Sequence, residues 1–363
     1  MLRISDLESF GVALRLGRSM AMSGETVSVS RNLLVRVSDG EGNDGWGEAA
    51  SAPLMTGDTL EGMLAATESA ALAFTGMEIT SATDVHRLVK STIPGSPGAR
   101  CAVEMAVLDL VGRRTGTPLY QILGGRVRDS APVLALVSSD RYEAEVERLL
   151  QGGVRSFKVK VGIDGVASDL ARCHAVRTAV GTDVRVSADA NGGFNLADAV
   201  AFAAGAKDAG LDFIEQPLPA PDLTGMAACA DATSVPIGAD EGFRRVKDVR
   251  IHHEARAASG GSLKPLKMGV GGVLAAGKLM DSLKMKVNLA GKVAESSIGS
   301  AAIAHLAVTL PRVDWDASPT CQYLSTDVAF QPVEIVNGTL APSDAPGLGV
   351  EVDPDRLHAL LTT

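Results

Sequence analysis

Three rhythms of apolar and polar positions divide the chain. Between residues 2 and 50 the apolar residues fall in short alternating runs, LRISDLESFGVAL, NLLVRVSD and GWGEAA, separated by Gly, Ser and Asp. Alternation with period two puts successive side chains on opposite faces of a strand, so this stretch predicts a three-stranded antiparallel meander. Residues 58 to 124 change period. DTLEGMLAATESAALAF, ATDVHRLVKSTI and GARCAVEMAVLDLVGRRTG repeat apolar residues every three or four positions and predict amphipathic or buried helices, with Gly95, Pro97 and Gly98 marking the last boundary. From residue 131 onward a short apolar strand, a polar end and a helix follow one another several times. The candidate strands are VLALVS, SFKVKVG, VRVSADAN, DFIEQPL, PIGADE, GSLKPLK, KVNLAGK and VDWDA. Such alternation predicts parallel βα units, and eight of them close a barrel more readily than an open sheet. After residue 325 the rhythm fades, and PGLGVEVDPDRL reads as a tail returning to the N-terminal domain.

The 363 residues suffice for an α/β barrel of roughly 250 residues and a smaller companion domain. With 46% hydrophobic and 21% charged residues the composition is that of a globular enzyme and excludes wholesale disorder. A net charge of -9 without a Lys/Arg-rich run excludes a nucleic-acid footprint and disfavours anionic membranes. The start, MLRISDLESF, lacks a basic segment followed by an apolar one, and no stretch has the length of a membrane span, so the cytoplasm is the expected compartment. Cys101, Cys173, Cys229 and Cys321 lie far apart without zinc-site spacing and are expected to be free and buried.

The candidate chemistry sits at the C-terminal ends of the barrel strands, the rim where barrel enzymes carry their catalytic groups: Lys158 and Lys160, Asp189 and Asn191, Glu215, Asp240 and Glu241, Lys264. Lys158 and Lys160 share one face of a strand, as do Asp189 and Asn191. Burying a lone ammonium or carboxylate costs several kcal/mol, so acids and lysines at successive strand ends need each other or a metal. Asp189, Glu215 and Asp240, one from each of three consecutive strands, offer hard oxygen ligands for an octahedral ion, Mg2+ first and Mn2+ second. Taken singly, each acid could instead cap the helix that follows it, and the two lysines could be an exposed pair that discourages aggregation. Their common phase with three βα units argues against both.

These residues resemble the enolase superfamily and, within it, the muconate-lactonizing enzyme subgroup, over essentially the whole chain. The family's K-x-K is similar to Lys158-Val159-Lys160, its metal triad to Asp189, Glu215 in FIEQP and Asp240 in GADE, and its opposite lysine to Lys264. Lys160, Asp189, Glu215, Asp240 and Lys264 follow one another at intervals of 29, 26, 25 and 24 residues. GWGEAA, ARCAVEMAVLDLVGRRTGTPLYQILGG, AESSIG and PGLGVEVD add to the resemblance. After Lys264 the family reads K-x-x-K/R-x-G-G and this chain KPLKMGVGG, which leaves Lys267 as the rival second base, although the interval from Asp240 favours Lys264. The resemblance implies a (β/α)7β TIM-like barrel over residues 126–325. It also implies an α+β capping domain over residues 1–125, a closing segment 326–363 that returns to it, and loops near residues 16–30 and 50–57 that cover the substrate.

A proton beside a carboxylate is weakly acidic because its loss puts two negative charges on one small fragment, so the enediolate must be stabilised electrostatically. A lysine base must be brought from about 10.4 toward roughly 7–8, by burial and cationic neighbours. Lys160 is assigned as one base, Lys158 as its electrostatic partner and an oxyanion contact, and Lys264 as the acid/base on the other face. Asn191 and Glu241 are placed behind the metal ligands. Glu295 and the pair Asp314 and Asp316, with Trp315 between them, are placed on the substrate. Related dipeptide epimerases hold a substrate ammonium with a similar D-x-D, which points to racemisation or epimerisation of an amino-acid derivative or dipeptide. Dehydration of a hydroxylated acid or amino acid such as a hydroxyproline, and muconate-type cycloisomerisation, need the same residues. None of His86, His174, His252, His253, His305 and His358 falls where Lys264 does, which argues against a histidine base. A barrel that has lost its activity and serves as a binding protein is the non-enzyme alternative. The expected partners are a small-molecule carboxylate and further copies of the chain in a homo-oligomer, with no nucleic acid and no membrane.

Overall fold

The computed structural model describes residues 2–22, 25–137 and 142–362. Strands β1 (Asp6–Met22), β2 (Glu25–Ser38) and β3 (Asp44–Ala50) form an antiparallel meander in sequence order. Helices α1 (Leu60–Phe74), α2 (Ala82–Thr92) and α3 (Pro97–Thr115) start where Thr59, Ser81 and Ser96 accept the backbone N–H groups of Gly62, Thr83 and Ala99. The meander lies on α3 at backbone contact. A Cβ at Gly45 would stand 2.2 Å from the Ala106 carbonyl oxygen, and one at Gly47 1.9 Å from that of Ala102, so glycine is required at both positions.

The parallel sheet consists of β4 (Ala135–Val137), β5 (Ser156–Lys160), β6 (Arg185–Asp189), β7 (Phe213–Glu215), β8 (Ile237–Ala239), β9 (Gly260–Leu263), β10 (Lys286–Ala290) and β11 (Ala317–Ser318). They neighbour one another in sequence order, and a parallel bridge between Val133 and Ala317 closes the ring. Seven helices connect them: α4 (Tyr142–Gln151), α5 (Val166–Val180), α6 (Leu196–Gly205), α7 (Leu223–Asp231), α8 (Val246–Glu254), α9 (Pro265–Ser282) and α10 (Ser297–Thr309). The architecture is therefore a (β/α)7β barrel with an α+β capping domain. Most strand residues are buried, as expected where helices cover one face of a parallel sheet and side chains fill the lumen of the other.

Two expectations change. Residues 16–30 are not a covering loop: as far as they are described they continue the β1–β2 ladder, with a register shift between Arg15 and Met20. Leu16 and Met20 nevertheless pack on Leu136, Val293 and Ala294, at the rim of the barrel. The last strand is Ala317–Ser318, not VDWDA. Trp315 instead turns into the barrel floor, where it stacks on Phe213 with centroids 4.1 Å apart and planes within 6°. Gly238 and Gly260 make room for it, since a Cβ on either would come within 2.8 and 2.5 Å of its ring.

The closing segment returns to the first domain. Helix α11 (Pro354–Leu360) is followed by a bridge from Leu361 to Val12 and by the Thr362 N–H donating to the Gly11 carbonyl at 2.8 Å. All four cysteines are buried and free. Among the described residues no helix is long and apolar enough to cross a membrane.

Candidate active site

The strand register gathers the site. Lys160 pairs with Asp189 and Asp189 with Glu215, so three ionisable side chains stand level on β5, β6 and β7. Asp240 follows β8, and its position is fixed by Gln216, whose side-chain oxygen accepts the Asp240 N–H at 2.8 Å and the Gly242 N–H at 3.1 Å. Lys264 follows β9, four strands from β5, halfway round an eight-stranded ring.

These side chains surround a cavity of about 150 Å³ at the C-terminal mouth of the barrel. Its wall includes Lys158, Lys160, Asp189, Asn191, Glu215, Glu241 and Lys264, with Lys292 and Val293 after β10 and Ser318, Thr320 and Tyr323 after β11. The capping domain contributes Ala52, Pro53, Leu54 and Met55, of which Leu54 is 71% exposed at the opening.

Every carboxylate of the triad rests on lysine. Lys160 Nζ donates to Asp189 Oδ2 and to Asn191 Oδ1, both at 2.7 Å; Lys158 Nζ donates to Glu215 Oε2; Lys264 Nζ reaches Asp240 Oδ2 at 2.6 Å. Lys267 is not in the cavity wall. Its ammonium is buried on Asp240 Oδ1 at 2.7 Å and on the Ser262 carbonyl at 3.1 Å, which makes Lys264 the lysine that faces the cavity. One layer deeper, Ser262 Oγ lies 2.7 Å from Glu215 Oε1 and 2.8 Å from Asn288 Oδ1.

Charge and burial compete at each group. Burial works against the Lys158 ammonium, but Glu215 and Asp189 outweigh it and hold its pKa above the ordinary lysine value. Lys264 is held up against burial in the same way, by Asp240, Glu241 and Glu215. Lys267, where burial prevails over Asp240, is pulled down. Burial opposes the charged form of Asp240, yet Lys264 and Lys267 hold it well below the usual carboxylate range. Burial, with Asp240 and Asp189 beside it, pushes Glu241 up to about 7. Glu241 pairs with Asn191 Nδ2 at 3.0 Å rather than with a lysine, and among the described residues its buried Oε2 has no hydrogen-bond partner.

The residues suit a hard divalent cation in donor type and in placement on consecutive strands. As the side chains stand, no three His, Cys, Asp or Glu among the described residues converge on one point, because lysines draw the three carboxylates apart. An ion held there would displace those ammonium groups from Asp189, Glu215 and Asp240.

Two sets of substrate contacts expected from the sequence lie elsewhere. Asp314, Trp315 and Asp316 precede β11 and sit at the opposite end of the barrel. Asp316 pairs with Arg185, the first residue of β6, and Asp314 pairs with Arg312 and with Lys286, the first residue of β10, at 2.9 and 3.4 Å. At the cavity end of β11 stand Ser318 and Thr320. Glu295 lies one layer behind the wall: a Cβ on wall residue Gly291 would meet its Oε2 at 2.7 Å.

Glu295 is held by a contact that no local spacing reveals. Glu48, on β3 of the cap, accepts the Ser296 N–H with both oxygens at 2.9 Å and the Gly299 N–H at 3.0 Å, which caps α10. Asn32 ties Glu48 at 2.7 Å to the Ala294 carbonyl at 2.8 Å, next to Glu295. Burial, and then Glu48, push the Glu295 carboxyl up to about 8. The native state thus retains a proton that the unfolded chain releases near 4.5, and stability falls as pH rises from 4.5 to 8. Glu295→Gln is expected to remove this slope, so that the loss of Tm between pH 6 and pH 8 is smaller than in the parent chain. An unchanged slope would show that Glu295 is already ionised at pH 6.

A closed parallel barrel with paired lysines and acids at its C-terminal rim, under a separate cap, defines a class of enzymes that take a proton from carbon beside a carboxylate. Residues 9–124 match the mandelate racemase / muconate lactonizing enzyme N-terminal domain and residues 141–356 the enolase C-terminal domain-like family. The chain belongs to that family, in the muconate-lactonizing enzyme subgroup of the enolase superfamily, and is an isomerase of this kind. It is 30% identical to the L-Ala-D/L-Glu epimerase of Bacillus subtilis, over 96% of this chain and 97% of that protein. It is 28% identical to the N-succinyl-L-Arg/Lys racemase of Bacillus cereus, over 99% and 98%. The muconate lactonizing enzyme of Pseudomonas fluorescens, solved with muconolactone, superposes with a TM-score of 0.94 at 28% identity, covering 99% of this chain and 100% of that one. Enzymes of this family depend on a divalent metal, typically Mg2+.

Proposed function

We propose that the protein moves a proton from one face to the other of the carbon beside the carboxylate of an N-acylated amino acid, as a racemase or epimerase with Lys160 and Lys264 as its acid/bases. The observation that carries this reading is the placement of the two amines on strands half a barrel apart, with the cavity between them. Lys160 in its neutral form takes the proton from one face. Lys264, held protonated by Asp240, Glu241 and Glu215, gives one to the other, and the reverse reaction exchanges the roles. Lys158, charged and buried beside Glu215, sets positive potential against the carboxylate oxygen that gains charge. Asn191 orients Lys160 through its side-chain oxygen. Asp189, Glu215 and Asp240 would hold Mg2+, or Mn2+, which would supply positive charge beside the substrate carboxylate. Residues 52–55 of the cap exclude water from the cavity.

The substrate class follows from the wall after β11. Hydroxyl groups on Ser318, Thr320 and Tyr323, with Lys292 beside them, support a neutral acylated nitrogen better than a free ammonium. The N-succinyl racemase relative agrees with this choice. A second reading, muconate-type cycloisomerisation, is favoured by the overlay on muconate lactonizing enzyme and draws on the same residues.

Incubation in D2O with Mg2+ and a panel of N-succinyl and N-acetyl amino acids, dipeptides and cis,cis-muconate separates them. Deuterium is expected at the α-carbon of both enantiomers of at least one N-acyl amino acid. Lactone formation from muconate without such exchange would establish the second reading, and exchange only into dipeptides would overturn the substrate class.

A further inference from the structure

A second cavity, of about 70 Å³, lies where the capping helices α2 and α3 meet the barrel helices α8 and α9. Lys90 on α2, Arg100 on α3, and Arg244 and Arg245 just before α8 line it, with Lys267, whose ammonium is turned onto Asp240. Their charges are only partly compensated, since Asp58 and Glu104 act on Arg100 without forming an ion pair with it. Among the described residues no acid lies within ion-pair distance of Lys90, Arg100 or Arg244; Arg245 has Asp248 at 3.4 Å, and Arg100 donates only to the Ile93 carbonyl at 3.2 Å. The one acid in the wall, Glu104, is 2% exposed and already engaged: Oε1 accepts the Gly271 N–H at 2.7 Å, and Oε2 lies 3.0 Å from His86 Nδ1.

The backbone adds to the same potential. Helix α8 begins at Val246 in the cavity wall, and α9 breaks at the wall residue Gly269, with φ 75° and ψ 171°, so that it starts a second time at Val270. Both starts bring the positive end of a helix to the cavity. Glu104 shows that the restart takes a carboxylate. The run KMGVGG, where the sequence departs from its family's pattern, is shaped for this junction: a Cβ at Gly269 would stand 2.0 Å from Glu104 Oε2, and one at Gly271 2.7 Å from His86 Cβ.

Four cationic side chains and two helix starts around one concavity draw anions from solution, and arginine forks match oxyanion geometry. We propose that this junction is a binding site for a phosphate-sized oxyanion, as inorganic phosphate or the phosphomonoester of a small metabolite, separate from the catalytic cavity and joining the cap to the barrel. At about 30 Å³ per liquid water, the space corresponds to a few water molecules or one tetrahedral anion. An anion seated there links α2 and α3 to α8, so its binding raises the melting temperature of the whole chain.

Calorimetric titration of the full chain with sodium phosphate and, separately, with glycerol phosphate, at ionic strength fixed with chloride, tests this. One saturable site is expected, with a Kd of about 1 mM or tighter. Lys90→Ala and Arg244→Ala, both at exposed positions, are each expected to weaken it by about tenfold or more, while Arg250→Ala, on α8 outside the cavity wall, leaves it unchanged. Tighter binding of the ester identifies a metabolite ligand, and equal or weaker binding the inorganic ion. Absence of saturable binding with either, or binding that survives the Lys90→Ala/Arg244→Ala double substitution, overturns the site. Because neither residue touches the catalytic cavity, α-proton exchange in the double variant is expected to match the parent.

Discussion

Lys160→Met is expected to abolish deuterium exchange from one enantiomer of the substrate while exchange from the other persists, and Lys264→Met is expected to give the mirror result. Each loss should be about 10²–10⁴-fold, the contribution of a positioned acid or base. Methionine keeps the length and most of the volume of lysine, so the cavity wall is retained while the amine is lost. The prediction rests on geometry. A substrate plane between β5 and β9 would show one face to each amine. The two are not equivalent at rest: Lys264 shares its ammonium with Asp240, whereas Lys160 divides its between Asp189 and Asn191. Lys158→Met, by contrast, should slow exchange from both enantiomers alike, because its charge acts on the carboxylate that both share. Equal losses on both enantiomers from Lys160→Met and from Lys264→Met would sink the two-base assignment. Both lysines would then act together on either enantiomer, in a coupled or structural role.

What could be read from the sequence was whatever depends on local period. Lys158 and Lys160, and Asp189 with its neighbours, are placed by alternation along one strand and by the regular interval between βα units, and the structure brings them to one cavity. Asp314-Trp315-Asp316 obeys the same alternation and misleads. Its tertiary environment decides instead: the space over Gly238 and Gly260 draws Trp315 into the floor, and Arg185 and Lys286, at the starts of neighbouring strands, fix the acids at the far end. Acidic residues two apart before a strand and at its end look alike until the strand's first residue is known, and strand ends are the least determined feature of a pattern. Glu48 was visible within GWGEAA but without a role. Its partners Ser296 and Gly299 lie some 250 residues away, and only the docking of cap on barrel brings them together. The covering loop near residues 16–30 was implied by the family resemblance alone, whereas the ladder with β2 carries the strand through a register shift.

Among the described residues the barrel alone supplies the charged groups of the site. Four lysines, Lys158, Lys160, Lys264 and Lys267, face four acids, Asp189, Glu215, Asp240 and Glu241, within the same buried volume. Burial and the neighbouring acids push Glu241 up to about 7, and among the described residues its one side-chain hydrogen bond comes from a neutral amide.

Asp240→Asn is expected to cost the fold as well as the chemistry. Asp240 is the common acceptor of Lys264 at 2.6 Å and Lys267 at 2.7 Å, and these lysines are 7% and 3% exposed. Removing its charge strands two buried ammonium groups, and breaking a buried pair in this way costs about 3–5 kcal/mol. The pH dependence has a definite sign. The carboxyl of Asp240 is depressed in the fold, so its contribution is present above the ordinary value of 3.8 and is lost as pH falls through the lower folded value. Lys264 is raised in the fold, so its contribution is present below the ordinary value of 10.5 and is lost as pH rises through the higher folded one. The deficit of Asp240→Asn relative to the parent should therefore be greatest between about pH 4 and pH 10, and should narrow outside that window. Mg2+ should raise the melting temperature of the parent by mass action but leave that of the variant unchanged. Adding Lys264→Met and Lys267→Met to Asp240→Asn should restore much of the stability by leaving no stranded charge, without restoring either the Mg2+ response or α-proton exchange. If Asp240→Asn alone kept the parent's melting temperature and Mg2+ response, Asp240 would be neither the keystone of the lysine cluster nor a metal ligand.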